Sequence, residues 1–190
     1  MLRIFIPEEC RNRYIFLLLP LIAITLLSCS KPTNNKKGIT VKDGAFYDSI
    51  TNKPYSGNIT DTVSNQIMSY EVVNGIKDGQ FMVKGLDGKT LMEGMLKKNK
   101  NEGKWKYYYP TGKLESEGNF VNDTVEGKWS WYYEDGTIKE EGYFENGKRE
   151  GVWILYDING NVKSIMNFKN GAKISEDKSK GFFTEFRKYS

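Results

Sequence analysis

Apolar and polar residues alternate along much of this chain. In Glu126–Tyr133, Trp129, Trp131 and Tyr133 fall on one set of positions, and Lys128, Ser130 and Tyr132 on the other. In Leu114–Phe120, Leu114, Ser116, Gly118 and Phe120 share one face, while Glu115, Glu117 and Asn119 oppose them. A period of two is that of a half-buried strand. Asp87-Gly88, Asp135-Gly136, Asn146-Gly147 and Asn159-Gly160 punctuate these runs. Such pairs are favoured where both turn residues need positive φ, as in hairpins. The pattern predicts a series of antiparallel hairpins.

The hairpins recur. Glu93–Ser116, Glu117–Glu140 and Glu141–Ser164 are three copies of one 24-residue unit, with Trp105, Trp129 and Trp153 in the same place in each. Ser69–Met92 is a further copy with Phe81 at the Trp position, and Gly44–Tyr47 with Lys53–Ile59 reads as a shortened first unit. Phe168 and Asn170-Gly171 carry the phase half a unit further. A fixed period of this length marks a repeat architecture. The expected fold is all-β: an elongated antiparallel single-sheet meander of hairpin repeats over residues 39–173.

Individual positions then acquire roles. Gly94, Gly118 and Gly142 fall mid-strand, where glycine is normally unfavourable, on the face of Phe120 and Phe144. Each is expected to make room for a ring from the next strand, the repeat Trp, a pairing that pins register. On the opposite face Glu93, Glu117 and Glu141 alternate by strand with Lys104 and Lys128, which favours one register over slipped ones. Tyr108, Tyr132 and Tyr156 form a row on the face opposite the Trp. They either cover neighbouring strands or offer an aromatic surface to a protein, peptide or glycan. Residues 174–190 break the phase, and Phe182, Phe183, Phe186 and Tyr189 have helix-like spacing. This segment is expected to cap the terminal sheet edge, as a short helix or a strand.

Composition narrows the chemistry. The 190 residues contain no His, which removes the commonest general base and metal ligand. Without residues 1–28 the chain holds 25 basic and 22 acidic residues, a mixed surface unlike that of a nucleic-acid binder. Cys10 and Cys29 both precede the repeats, so no disulfide framework or thiolate zinc site is available there. Equivalent Glu residues two strands apart would lie roughly 9–10 Å from one another, at the outer limit for a glycosidase carboxylate pair. That row is a product of the repeat, with Lys neighbours to neutralise it. No phosphate loop or EF-hand spacing occurs. The expectation is a non-enzyme with no catalytic residues, metal or cofactor.

The N-terminus reads as an address. Arg3, Arg11 and Arg13 precede the 14-residue apolar run Tyr14–Leu27, too short for a membrane-spanning helix of roughly 20 residues and suited to a secretory signal. The run ends in Leu26-Leu27-Ser28-Cys29, which resembles the lipobox of bacterial lipoproteins. The resemblance implies cleavage between Ser28 and Cys29 and acylation of Cys29, whose acyl chains would anchor the protein to a membrane. The residue after the Cys is Ser30 and not Asp, which leans toward the outer membrane in a bacterium that has one. Residues 29–38, polar and Lys-rich, read as a flexible tether.

From about Phe46 to Lys173 the pattern E-G-x-aromatic-x-N-G-K-x-x-G-x-W-x-x-Y-x-x-x-G resembles the MORN repeat, in the variant found in bacterial proteins known as YwqK-type antitoxins. Glu141–Gly160 is the best copy. In the preceding copy Asp123-Thr124-Val125 replaces Gly-Lys-x, and a looser turn is expected there. The resemblance implies architecture more than activity. The expected function is a lipid-anchored envelope module that binds a protein partner or acts as a scaffold. The alternative is an antitoxin or immunity protein that neutralises a toxin by direct binding. An envelope hydrolase is disfavoured, because no non-repeating polar cluster stands out.

Overall fold

The computed structural model describes residues 38–178. Among them every regular element is a strand: β1 (Ile39–Lys42), β2 (Ala45–Asp48), β3 (Gly57–Val63), β4 (Gln66–Val73), β5 (Ile76–Gly85), β6 (Thr90–Lys97), β7 (Lys100–Tyr108), β8 (Leu114–Val121), β9 (Thr124–Tyr132), β10 (Ile138–Glu145), β11 (Lys148–Tyr156), β12 (Val162–Lys169) and β13 (Ala172–Asp177). Strands β3 to β13 form one open 11-stranded sheet in chain order, and each pairs antiparallel with the next. This is the expected meander.

Its two ends differ from expectation. The first hairpin, β1–β2, is a separate two-stranded sheet. It is tied to the β4–β5 turn by backbone bonds from Phe46 N to Gly75 O (2.9 Å), Tyr55 N to Phe46 O (2.9 Å) and Gly75 N to Tyr55 O (2.7 Å). Phe46 packs against Tyr70 with ring centroids 5.8 Å apart. A shortened hairpin is thereby folded onto the first full one instead of extending the sheet. At the other end the sheet runs to Asp177, past the boundary expected at 173, so residues 174–177 take the strand alternative and extend the sheet. Phe182, Phe183, Phe186 and Tyr189 lie outside the described residues, as do residues 1–37 with Cys29.

The turns along one edge all take the two-residue form with positive φ at both positions. Asn146-Gly147 has φ of 50° and 76°, and Asn122-Asp123 has 50° and 68°. The turn expected to be looser is therefore the same turn, because a short polar side chain tolerates the left-handed region at modest cost. Its Asp123 also accepts the Asn101 N–H at 2.6 Å. Successive turns bond to one another: Asn99 N to Lys77 O (2.7 Å), Asp123 N to Asn101 O (3.0 Å), Gly147 N to Val125 O (3.0 Å) and Gly171 N to Arg149 O (2.9 Å). An acid one hairpin earlier caps each turn, as Glu102, Glu126 and Glu150 accept the N–H of Asn122, Asn146 and Asn170. Along the other edge the first turn, Ser64-Asn65, again has positive φ at both positions (50° and 62°), but in the later loops only the glycine does: Gly88 81°, Gly136 92° and Gly160 79°. The glycine-containing ones are longer loops, closed by bonds such as Tyr133 N to Thr137 O at 2.8 Å, and not the two-residue turns that the Asp-Gly and Asn-Gly pairs suggested.

One face of the sheet carries the core. Trp105, Trp129 and Trp153 are 3%, 6% and 0% exposed although only one layer of strands is present. The explanation is that each indole lies across the preceding strand. A Cβ on Gly94, Gly118 or Gly142 would overlap the ring of Trp105, Trp129 or Trp153 respectively. The ring-over-glycine expectation holds in all three units. The ladder also bulges there. Between β6 and β7 the register passes from Glu93↔Lys106 to Met95↔Glu102, so Gly103, Lys104 and Trp105 oppose Gly94 alone. Gly103 accommodates the bulge at φ 66°, as do Gly127 at 73° and Gly151 at 64°. Edge-on phenylalanines fill between the indoles. Phe120 meets Trp105 at 5.9 Å and Trp129 at 5.6 Å, and Phe144 meets Trp153 at 5.1 Å. The result is a continuous aromatic row from Phe81 to Phe168.

Candidate functional site

The opposite face carries the residues singled out for binding. Strand alternation puts Tyr108, Tyr132 and Tyr156 there, each on the last residue of an odd-numbered strand, β7, β9 and β11. Each is half-buried, and each donates its hydroxyl to the Glu that opens the same unit. Tyr108 reaches Glu93 at 2.6 Å, Tyr132 reaches Glu117 at 3.3 Å and Tyr156 reaches Glu141 at 2.9 Å. Lys104 pairs with Glu117 at 2.9 Å and Lys128 with Glu141 at 2.8 Å, as the alternation of charge implied, and Lys106 lies 3.9 Å from Glu93. A Tyr–Glu–Lys group thus recurs with the repeat, and its spacing is about 9–10 Å, two strands.

The electrostatics are those of settled ion pairs. Burial pushes the Glu141 carboxyl up, but the hydrogen bonds from Lys128 and Tyr156 and the charge of Lys128 outweigh it, leaving the group below the ordinary range. The bond to Glu141 raises Lys128. Tyr108 is pushed up to about 12, first by desolvation and then by its bond to Glu93 and the charges of Glu93 and Glu117. Desolvation and the Glu117 charge raise Tyr132 as well. Such groups hold their protons or charges firmly at neutral pH and fix ring orientation. Among the described residues no group of three or more His, Cys, Asp or Glu is placed to hold a metal ion, and no helix is long and apolar enough to cross a membrane.

Two features escaped the sequence. Tyr109 and Tyr133 donate their hydroxyls to the carbonyls of Tyr132 (2.6 Å) and Tyr156 (2.9 Å), which binds the loop edge of one hairpin to the next. Their 24-residue spacing was a visible signal. The second is a non-repeating polar pair on the aromatic face. The Arg149 guanidinium lies 3.9 Å over the Trp153 ring and 3.1 Å from Glu140, and the two side chains are only 14% and 20% exposed. Desolvation holds Arg149 below its ordinary value against the pull of Glu140, and its Nε is buried with no partner. Other units have Asn101 or Val125 where Arg149 stands, and Ser116 or Ser164 where Glu140 stands. Comparing each copy with the rest would have exposed this pair.

Three consecutive segments, 101–122, 125–148 and 149–170, match the family model of the MORN repeat variant. Residues 101–170 are thus MORN-type repeats, and the matched units are the hairpins that carry Trp105, Trp129 and Trp153. No curated protein matches the chain. Among solved structures, a crystal structure of TarM is 11% identical with a TM-score of 0.22 and the match covers 64% of this chain and 21% of that one. A mutant S. aureus TarM in complex with Fondaparinux, alpha-GlcNAc-glycerol and UDP is 10% identical with a TM-score of 0.20, covering 64% and 19%. The chain thus spans about a fifth of those proteins, and superpositions this loose carry no statement about its fold or function.

Proposed function

We propose that this is a non-catalytic binding module, held to the bacterial envelope through acylated Cys29, that presents the face of Tyr108, Tyr132 and Tyr156 to a protein partner. The observation that carries the reading is the ordered tyrosine row. Each ring is held by a bond to Glu93, Glu117 or Glu141, so little side-chain freedom is left to lose on binding. Tyrosine is also a residue that dominates protein contacts. The non-catalytic half rests on the carboxylates: Glu117 and Glu141 are each engaged by a Tyr and a Lys, which suits register and not proton transfer. The anchor rests on the lipobox-like Leu26-Leu27-Ser28-Cys29, and an outer-membrane location on Ser30.

The test is crosslinking and capture from the native envelope with the intact chain and with a Tyr108→Ser, Tyr132→Ser, Tyr156→Ser variant whose folding is verified by its melting curve. A protein captured by the first and lost by the second supports the reading. Capture of the same set by both contradicts it. Should the captured protein be a toxin, the module is an immunity protein.

A further inference from the structure

The two end strands of the long sheet are guarded unequally. β13 carries Lys173, Glu176 and Asp177, and its pairing with β12 shifts register between Asn167 and Phe168. Charges and bulges of that kind keep an edge from recruiting another strand. β3, at the other end, has Asp61 as its one charge and no proline. Its register against β4 runs without a shift from Gly57↔Val72 to Val63↔Gln66. Every other strand pair of this sheet, among the described residues, shifts. β3 is also rich in β-branched residues, Ile59, Thr60, Thr62 and Val63, which favour extended backbone. Among the described residues no strand pairs with its outer side, and the backbone bond that ties down Phe46 of the first hairpin runs to Gly75.

The turn after β3 shows which groups point outward. Ser64-Asn65, with φ of 50° and 62°, is a two-residue turn closed by Val63 and Gln66. The closing pair of such a turn exchanges both backbone bonds, and the exchange recurs at every second residue. The odd-numbered residues of β3 therefore bond to β4, and Asn58, Thr60 and Thr62 direct their N–H and C=O outward. The side chains of these three are exposed. They lie on the face of the tyrosine row, since Thr60 pairs with Ser69, Ser69 with Met82 and Met82 with Glu93. A strand suited to this edge brings small polar side chains to Asn58, Thr60 and Thr62 and no acid to Asp61. β3 of a second copy does so when turned about a two-fold axis that is normal to the sheet and passes beside Thr60. Thr60 then faces Thr60, Asn58 faces Thr62, and Asp61 faces Ile59 instead of another Asp61. The three outward positions form about six main-chain bonds, and Thr–Thr pairing across the strands adds to them.

We propose that the outer edge of β3 is a self-association site, at which two copies of this chain pair antiparallel, Thr60 against Thr60, into one continuous sheet. An axis normal to the sheet keeps Tyr108, Tyr132 and Tyr156 of both copies on the same side. The pairing does not depend on what the tyrosine face binds. The full chain, extracted in detergent, should sediment as a dimer in a concentration series. Thr60→Pro removes an outward N–H and spares the bonds to β4, so it should give a monomer with an unchanged melting curve. Thr60→Cys under mild oxidation supplies a second measurement that does not need the proline variant to fold. A disulfide between position 60 of the two copies, mapped by mass spectrometry, should form in about tenfold higher yield than one between positions 62 in Thr62→Cys, because only the first pair lies directly opposite. A monomer at every concentration, a dimer that a folded Thr60→Pro variant retains, or equal yields at 60 and 62 would overturn the proposal. So would a disulfide from position 60 to Cys29 of the same chain or to a different protein, since the edge then has another occupant.

Discussion

Arg149 shows how one residue is held when it departs from the repeat. Its guanidinium sits on the Trp153 ring at 3.9 Å and is paired with Glu140 at 3.1 Å. Taking one partner of a mostly buried pair leaves the other charge uncompensated, which costs more than the pair is worth. Arg149→Ala should therefore lower stability by about 2–4 kcal/mol, including the lost stacking on Trp153. The double variant Glu140→Leu, Arg149→Met should recover most of that loss, and equilibrium denaturation of both variants checks it. The pair is legible only when the copies are compared position by position, because reading the units as equivalent hides the positions at which they differ. By contrast Gly94, Gly118 and Gly142 were legible, since a glycine in mid-strand contradicts local propensity and demands a reason.

At the scale of the hairpin, the turn edge is better tied than its sequences suggest. Asp123 holds φ 68° and accepts the Asn101 N–H at 2.6 Å. Asp123→Ala places a Cβ residue with no local hydrogen bond in the left-handed region and orphans that donor, for a loss of about 1–2 kcal/mol measured by denaturant unfolding. The two-residue turns were legible from Asn-Gly, but Lys98-Asn99 and Asn122-Asp123 were not, because the twist of the flanking strands imposes the same geometry on them. The loops at the other edge were misjudged for the converse reason: Asp-Gly also suits a longer loop in which the glycine alone needs positive φ.

The strand-pair ladder sets a pH response. The folded values of Tyr108 and Lys128 lie above their ordinary 10.0 and 10.5, so the stability they contribute is complete below about pH 10 and is lost as pH rises through the folded values, about 12 for Tyr108. Glu141 lies below its ordinary 4.5, and its contribution is present above that value and lost as pH falls through the lower folded one. Melting temperature should hold between these limits and fall on both sides. Lys128→Met should flatten both limbs, by a small amount because Lys128 is half exposed.

For the whole molecule, periodicity fixes the architecture and also lines up the tyrosine row on which the proposed function rests. A 24-residue period with strand alternation was enough to read the order and pairing of the hairpins. The detached first hairpin was not legible, because its fate depends on a backbone bond from Phe46 N to Gly75 O that no pattern encodes. The Tyr row was legible as a row, but its bonds to Glu93, Glu117 and Glu141 became visible only once the bulges at Gly103, Gly127 and Gly151 had set the offset between strands. The proposed anchor is tested on the entire chain as well: Cys29→Ala should move the protein from the membrane to the soluble fraction, and its retention in the membrane would contradict acylation there.

The central claim is that one ring-over-glycine contact per unit sets the register that lines up the tyrosine face. Its most direct test is the melting temperature of Gly142→Val beside that of Asn119→Val, a change to the same residue type on the opposite face. A side chain at 142 would occupy the space of the Trp153 ring, and overpacking of that kind costs about 3 kcal/mol, or a fall on the order of 10 °C. Asn119→Val should leave the melting temperature nearly unchanged. Equal melting temperatures for Gly142→Val and the unaltered protein would contradict the claim.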